Sequence, residues 1–84
     1  MVAVTIYTTP WCPYCIRALR LLDNKKVQYT QIDVSDPTER AKMQALTGGH
    51  TVPQILINAQ PIGGCDELYA LEHEAKLDAL LNAS

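Results

Sequence analysis

The feature that most constrains this chain is Trp11-Cys12-Pro13-Tyr14-Cys15, two cysteines with two residues between them, placed where a strand hands over to a helix. The stretch before it, Val2-Ala3-Val4-Thr5-Ile6-Tyr7-Thr8, is β-branched and aromatic and uncharged, so it reads as a buried strand. Thr9-Pro10 breaks that strand. From Pro13 to Leu22 the apolar residues recur at helical spacing, with Cys15, Ala18, Leu19 and Leu22 on one face. Cys12 therefore falls at the helix start, with Pro13 at the first helical position, where a missing N–H costs nothing. Free N–H groups and the positive end of the helix dipole favour a thiolate on Cys12, the form that attacks disulfides. Cys15, one turn further in, is expected to be more buried and less reactive. The pair then supplies one attacking and one resolving thiol, able to cycle between dithiol and disulfide.

At 84 residues the chain is expected to form one domain over residues 1–84, with a core no larger than a sheet-and-helix arrangement fills. Hydrophobic residues make up 48% and charged residues 19%, the balance of a folded protein rather than a disordered one. The net charge is −2 and no basic cluster occurs, which argues against a nucleic-acid partner. No stretch has the basic start and long apolar run of a signal peptide, or the roughly 20 apolar residues of a membrane span. A cytoplasmic protein that is a monomer and meets no membrane is the expectation. Three cysteines do not make a disulfide scaffold, and in a reducing compartment a CxxC pair is catalytic or metal-binding. A structural zinc site would draw on Cys12, Cys15 and Cys65 with His50 or His73. No second CxxC or HxxxH spacing supports it, and no metal is expected.

Along the chain, the first helix stops near Asp23-Asn24-Lys25-Lys26. Val27 to Val34 reads as a second strand, but Val27 and Tyr29 share one phase and Ile32 and Val34 the other, which predicts a bulge or strand end near Gln31. Asp36-Pro37-Thr38-Glu39 starts a helix, with Asp36 as N-cap, Pro37 next and Glu39 placed to complete a capping box; Gly48-Gly49 ends it. Gln54 to Ile57 is a third strand, Asn58-Ala59-Gln60 a tight turn, and Pro61-Ile62-Gly63 a fourth strand whose proline suits a sheet edge. Gly64 opens a last helical region. It carries Leu68 and Leu71, then Leu77, Leu80 and Leu81, with a break near Glu72 to Glu74. The order β-α-β-α-β-β-α implies an α/β fold, with a four-stranded mixed sheet and helices on both faces. Tyr7 and Tyr29 read as core, and His50 as a solvated loop residue. Trp11 suits either a partner surface or packing.

That order, with Cys12-Pro13-Tyr14-Cys15 after the first strand, Thr51-Val52-Pro53 before the third and Gly63-Gly64-Cys65-Asp66 after the fourth, resembles the glutaredoxin family of the thioredoxin fold. The likeness covers essentially the whole chain and is closest to the small bacterial dithiol members, which also carry a cysteine after the double glycine. It implies a glutathione-dependent thiol-disulfide oxidoreductase acting on disulfide-bonded or glutathionylated proteins. Cys12 would be the nucleophile and Cys15 the resolving thiol. Val52-Pro53 would be a cis bond, and the Val52 backbone would pair with the cysteine of glutathione. Gly64, Cys65 and Asp66 would hold the γ-glutamyl end, the first N–H groups of the last helix taking its carboxylate and Asp66 its ammonium. Arg40 would meet the glycine carboxylate, while Tyr14 and Thr51 would flank the pocket.

Two positions depart from the family pattern. Many dithiol members carry a lysine three residues before the nucleophile, where this chain has Thr9, which leaves the helix terminus to support the thiolate. Trp11 occurs in relatives that share an iron-sulfur cluster between two chains through the nucleophile and two glutathiones. That motivates a cluster-binding alternative, against which Pro13 speaks. A thioredoxin-like reductase using another electron donor is the third reading, and the GGCD and TVP motifs favour a glutathione site over it.

Overall fold

A computed structural model describes residues 3–82. Val2, expected to begin the first strand, lies outside the described residues. The elements are β1 (Val4–Thr8), α1 (Pro13–Asn24), β2 (Thr30–Asp33), α2 (Pro37–Thr47), β3 (Gln54–Ile57), β4 (Gln60–Gly63), α3 (Cys65–His73) and α4 (Leu77–Asn82). The strands form one four-stranded sheet in the order β2-β1-β3-β4. β1 runs parallel to β2 and antiparallel to β3, and β4 closes the hairpin antiparallel to β3. This is the thioredoxin-like mixed sheet expected from the sequence, with helices on both faces.

Alternation along the strands decides what each face covers. Val4 and Ile6 stand opposite Ile57 and Ile55, and these four pack with Ala18, Leu21 and Leu22 of α1, Leu68 of α3, and Leu77 and Leu81 of α4. On the other face Tyr7 and Leu56 meet Val34 and Met43. Leu21, unforeseen in the sequence, is buried in α1, while Leu19 is only half-buried.

The second strand is shorter than the sequence pattern implied. Its ladder with β1 starts at Thr30 and runs regularly to Asp33, so of the two features expected near Gln31 the strand end is present and the bulge is not. The phase change arises because Tyr29 packs against the first core before the ladder begins, whereas Val34, past its end, is buried in the second core. Val34 donates its N–H to the Thr8 carbonyl at 2.9 Å. The irregular pairing lies instead between β3 and β4, where Ile55 faces Gly63 but Leu56 faces Pro61, leaving Ile62 without an opposite residue. Asn58 and Ala59, both with positive φ, form the two-residue turn of that hairpin, and Gln60 already belongs to β4.

The helix ends follow their local chemistry. Asp36 Oδ1 accepts the Thr38 N–H at 2.7 Å, and Gly48 closes α2 at φ 76°, a left-handed conformation that glycine adopts freely. Glu39 does not complete a capping box; its carboxylate takes Lys42 at 3.2 Å. The break between the last two helices falls at Glu74 to Lys76, slightly later than expected. Lys25, at the end of α1, spans that break by pairing with Glu72 at 2.7 Å and Asp78 at 2.8 Å.

Met43 is the one buried residue of α2 and is fully enclosed, so it carries most of that helix's attachment to the sheet. Met43→Ala is expected to lower unfolding stability by about 2–5 kcal/mol in urea denaturation. Leu46→Ala, on the exposed side of the same helix, is expected to change it by less than about 0.5 kcal/mol.

Candidate active site

Cys12 is the N-cap residue of α1, in extended conformation at φ −113° and ψ 106°, and Pro13 follows at the first helical position. The usual N-cap is an oxygen-bearing side chain that accepts an N–H of the first turn. Here the acceptor is sulfur: the Cys15 N–H donates to Cys12 Sγ at 3.1 Å. No acidic residue lies in the first turn of α1 to compete for those N–H groups. A negative sulfur is a stronger acceptor than a neutral one, so the helix start rewards the thiolate. In the thiol form Cys12 can donate to the Val52 carbonyl, 3.7 Å away.

Cys15 has the opposite surroundings. It is fully enclosed, and burial pushes its thiol up to about 12, with the neighbouring Cys12 sulfur adding to the rise and the Thr9 N–H opposing it. It therefore holds its proton through the neutral range.

Beside Cys12 opens a cleft of about 400 Å³. Three segments meet there. Tyr14 comes from the first turn of α1, Thr51, Val52 and Pro53 from the loop before β3, and Gly64, Cys65, Asp66 and Glu67 from the start of α3. The loop is shaped by a cis bond between Val52 and Pro53 and held by Gln54, whose Nε2 donates to the Thr51 carbonyl at 3.0 Å. Gly64 permits the approach of α3 to that loop, since a Cβ there would lie 3.1 Å from the Pro53 carbonyl oxygen.

The start of α3 is an incomplete cap. Gly64 is the N-cap and has no side chain to accept an N–H. Glu67 supplies the reciprocal half of a capping box, its Oε1 accepting the Gly64 N–H at 2.7 Å. The N–H groups of Cys65 and Asp66 then have no side-chain oxygen upon them, which leaves an anion site at the positive end of a helix. Cys65 itself is buried in the first core, and burial raises its thiol although Arg17 pulls the other way. It packs in that core and also lines the cleft.

Of the residues singled out from the sequence, Tyr14, Thr51, Val52, Pro53, Gly64, Cys65 and Asp66 line this one cleft next to Cys12. Arg40 does not; it lies half-buried on α2. Glu67 lines the cleft and was missed. Its signal was present, an acidic residue three positions after a helix start, but a glycine cap hides the pattern because it lacks the partner oxygen. Among the described residues no three His, Cys, Asp or Glu side chains gather as candidate metal ligands.

The glutaredoxin family model matches residues 4–62. A glutaredoxin of Pseudomonas aeruginosa is 52% identical over 84 residues, covering 99% of this chain and 100% of that one. The solution structure of glutaredoxin from Brucella melitensis superposes with a TM-score of 0.85 at 55% identity, over 96% of this chain and 89% of that one. The crystal structure of a buckwheat glutaredoxin-glutathione complex reaches a TM-score of 0.86 at 28% identity, over 93% of this chain and 74% of that one. The paired thiols at a helix start and likeness along almost the whole length lead to one conclusion: this chain belongs to the glutaredoxin family, as a glutathione-dependent disulfide oxidoreductase of the dithiol type working through Cys12 and Cys15.

Proposed function

We propose that the cleft beside Cys12 is the glutathione site, and that this chain works as one domain and a monomer in the cytoplasm on glutathionylated and disulfide-bonded proteins. The observation that carries the reading is the uncapped start of α3 in a cleft also lined by Val52, whose carbonyl oxygen lies 3.7 Å from Cys12 Sγ. The γ-glutamyl carboxylate takes the place of the missing N-cap oxygen on the Cys65 and Asp66 N–H groups, and the Asp66 carboxylate takes the ammonium. The cysteinyl unit lies along Val52 and pairs with its backbone as an added strand does. Tyr14 and Thr51 flank it. Arg40 is proposed to meet the glycine carboxylate from α2, which packs on β3. The glutathione named in the buckwheat complex supports this assignment. No metal takes part in the proposed steps. Among the described residues no helix is long and apolar enough to cross a membrane, and a dithiol kept reduced suits the cytoplasm.

In deglutathionylation, Cys12 thiolate attacks the glutathione sulfur of the mixed disulfide. The protein thiolate leaves and takes a proton, and Cys12 is left joined to glutathione. A second glutathione thiolate attacks the glutathione sulfur of that adduct, releasing glutathione disulfide and restoring the Cys12 thiolate. With a protein disulfide, Cys12 forms a mixed disulfide with the substrate. Cys15 then attacks Cys12 Sγ, forming the Cys12–Cys15 bond and breaking the mixed disulfide, and its proton passes to the substrate thiolate that leaves. Two glutathiones, oxidised together, reduce the Cys12–Cys15 bond. The high thiol of Cys15 suits this order, since it attacks only a sulfur already placed beside it.

Cys12→Ser is expected to abolish both activities. Cys15→Ser is expected to abolish reduction of protein disulfides while keeping deglutathionylation within about threefold of the parent. Steady-state turnover on one substrate of each kind checks this, and equal loss of deglutathionylation in both variants would overturn the division of labour. Asp66→Asn removes a charge-assisted contact and is expected to raise the KM for glutathione about tenfold with little change in kcat. An unchanged KM would remove Asp66 from the site.

A further inference from the structure

Four large hydrophobic side chains are exposed on the described residues, and three of them, Trp11 at 94%, Tyr14 at 55% and Ile16 at 48%, surround the cysteine pair; the fourth, Leu46, is on α2. Exposed apolar residues scattered singly call for no explanation, whereas a cluster around a reactive sulfur marks a contact surface. The fold does not require Trp11 or Ile16, because neither belongs to or packs against either core. Next to them is a second cleft, of about 270 Å³. Pro10, Cys15, Ile16 and Leu19 form one wall, and Gln31 and Asp33 of β2 contribute the other. Apart from Tyr14, the first cleft is built from the loop before β3 and from α3, whereas the second reaches β2 on the other side of β1, and the two share no lining residue. Asp33 is the charged residue of the second cleft, and its hydrogen bonds to Ser35 hold its carboxyl below the usual range, as the anion.

We propose that Trp11, Ile16 and the second cleft seat the polypeptide that carries the target sulfur. The fitting partner is an extended segment with an aliphatic or aromatic side chain beside its cysteine and a basic residue close by. The apolar side chain lies between Pro10, Ile16 and Leu19, with the exposed Trp11 next to Pro10 in the chain, and the cation faces Asp33. Continuity with the active site argues for this occupant, since the surface begins at the residue before Cys12 and the cleft ends on Cys15. Glutathione and a protein substrate then bind on opposite sides of the cysteine turn without competing. The inference rests on Cys12 as the attacking sulfur, which the proposed function shares, but not on the glutathione cleft.

The test is a single-turnover reaction without glutathione. Pre-reduced protein is mixed with a synthetic peptide closed by one disulfide, carrying leucine beside a cysteine and arginine nearby, or serine at both places. Each turnover converts the protein dithiol and the peptide disulfide into the Cys12–Cys15 disulfide and the peptide dithiol. The parent is expected to reduce the leucine-arginine peptide about tenfold faster than the serine peptide. Trp11→Ser and Ile16→Ser are each expected to lose most of that preference, Asp33→Asn to lose only the share due to arginine, and Leu46→Ser to keep all of it. Equal rates for both peptides in the parent, or full preference in both Trp11→Ser and Ile16→Ser, would overturn the proposal. Turnover of the small mixed disulfide of glutathione and β-mercaptoethanol is expected to be unchanged in Trp11→Ser and Ile16→Ser; a parallel fall there would place their effect on Cys12 itself and overturn the docking surface. A parent that discriminates between the peptides yet fails on the small mixed disulfide would support the docking surface and count against the glutathione cleft.

Discussion

The first N–H groups of α1 have to find an acceptor, and Cys12 Sγ supplies it at 3.1 Å. Capping and nucleophilicity are thus one interaction seen from two sides. The helix start is satisfied best when the sulfur is negative, and a negative sulfur is what attacks a disulfide. Pro13 contributes by withholding an N–H that would otherwise need its own partner. Three residues before Cys12 the chain has the uncharged Thr9, so the terminus of α1 stands without a cation there. The rest of the structure keeps this helix end in place. Ala18, Leu21 and Leu22 fasten α1 to Ile6 and Ile55, and Lys25 ties its far end to α3 and α4.

A second helix start faces the same problem with a different solution. Gly64 offers α3 no capping oxygen, and Glu67 satisfies only the Gly64 N–H. Two helix termini therefore converge on one cleft, one closed by the reactive sulfur and one left open for an anion. A ligand joining a sulfur to a distant carboxylate suits that pair of ends. The sheet makes the convergence possible, since β1 delivers the chain to α1 while β3 and β4 deliver it to the loop of Val52 and the start of α3.

What was legible in the sequence is what local chemistry determines. Cys12 as a helix start, Asp36 as a cap and Gly48 as a stop each follow from a few neighbouring residues, and each stands where expected. The turn at Asn58-Ala59 was visible for the same reason, to within one residue. For β2 the phase change near Gln31 marked a strand end or a bulge without choosing between them, because the ladder with β1, not the composition of Val27 to Val34, decides where the strand begins. The burial of Leu21 rather than Leu19 likewise depends on how α1 sits against α3 and α4. Most of the cleft was found through its motifs, whereas Glu67 acts through a backbone N–H of glycine, and Arg40 depends on how α2 packs on the sheet. The exposure of Trp11 is tertiary too, since residues flanking a cysteine pair are apolar in both buried and open settings.

The measurement that tests the shared cleft most directly is the set of backbone amide NMR shifts in a Cys15→Ser protein carrying one adduct on Cys12, either glutathione or β-mercaptoethanol. Both adducts turn the capping sulfur into a disulfide and should move the Cys15-position amide alike. Only glutathione is expected to shift the Cys65 and Asp66 amides downfield, as its carboxylate takes up the open start of α3, while the Gly64 amide stays with Glu67 and is unmoved. Identical spectra at Cys65 and Asp66 for the two adducts would contradict the account, leaving the start of α3 without the anion that its geometry invites.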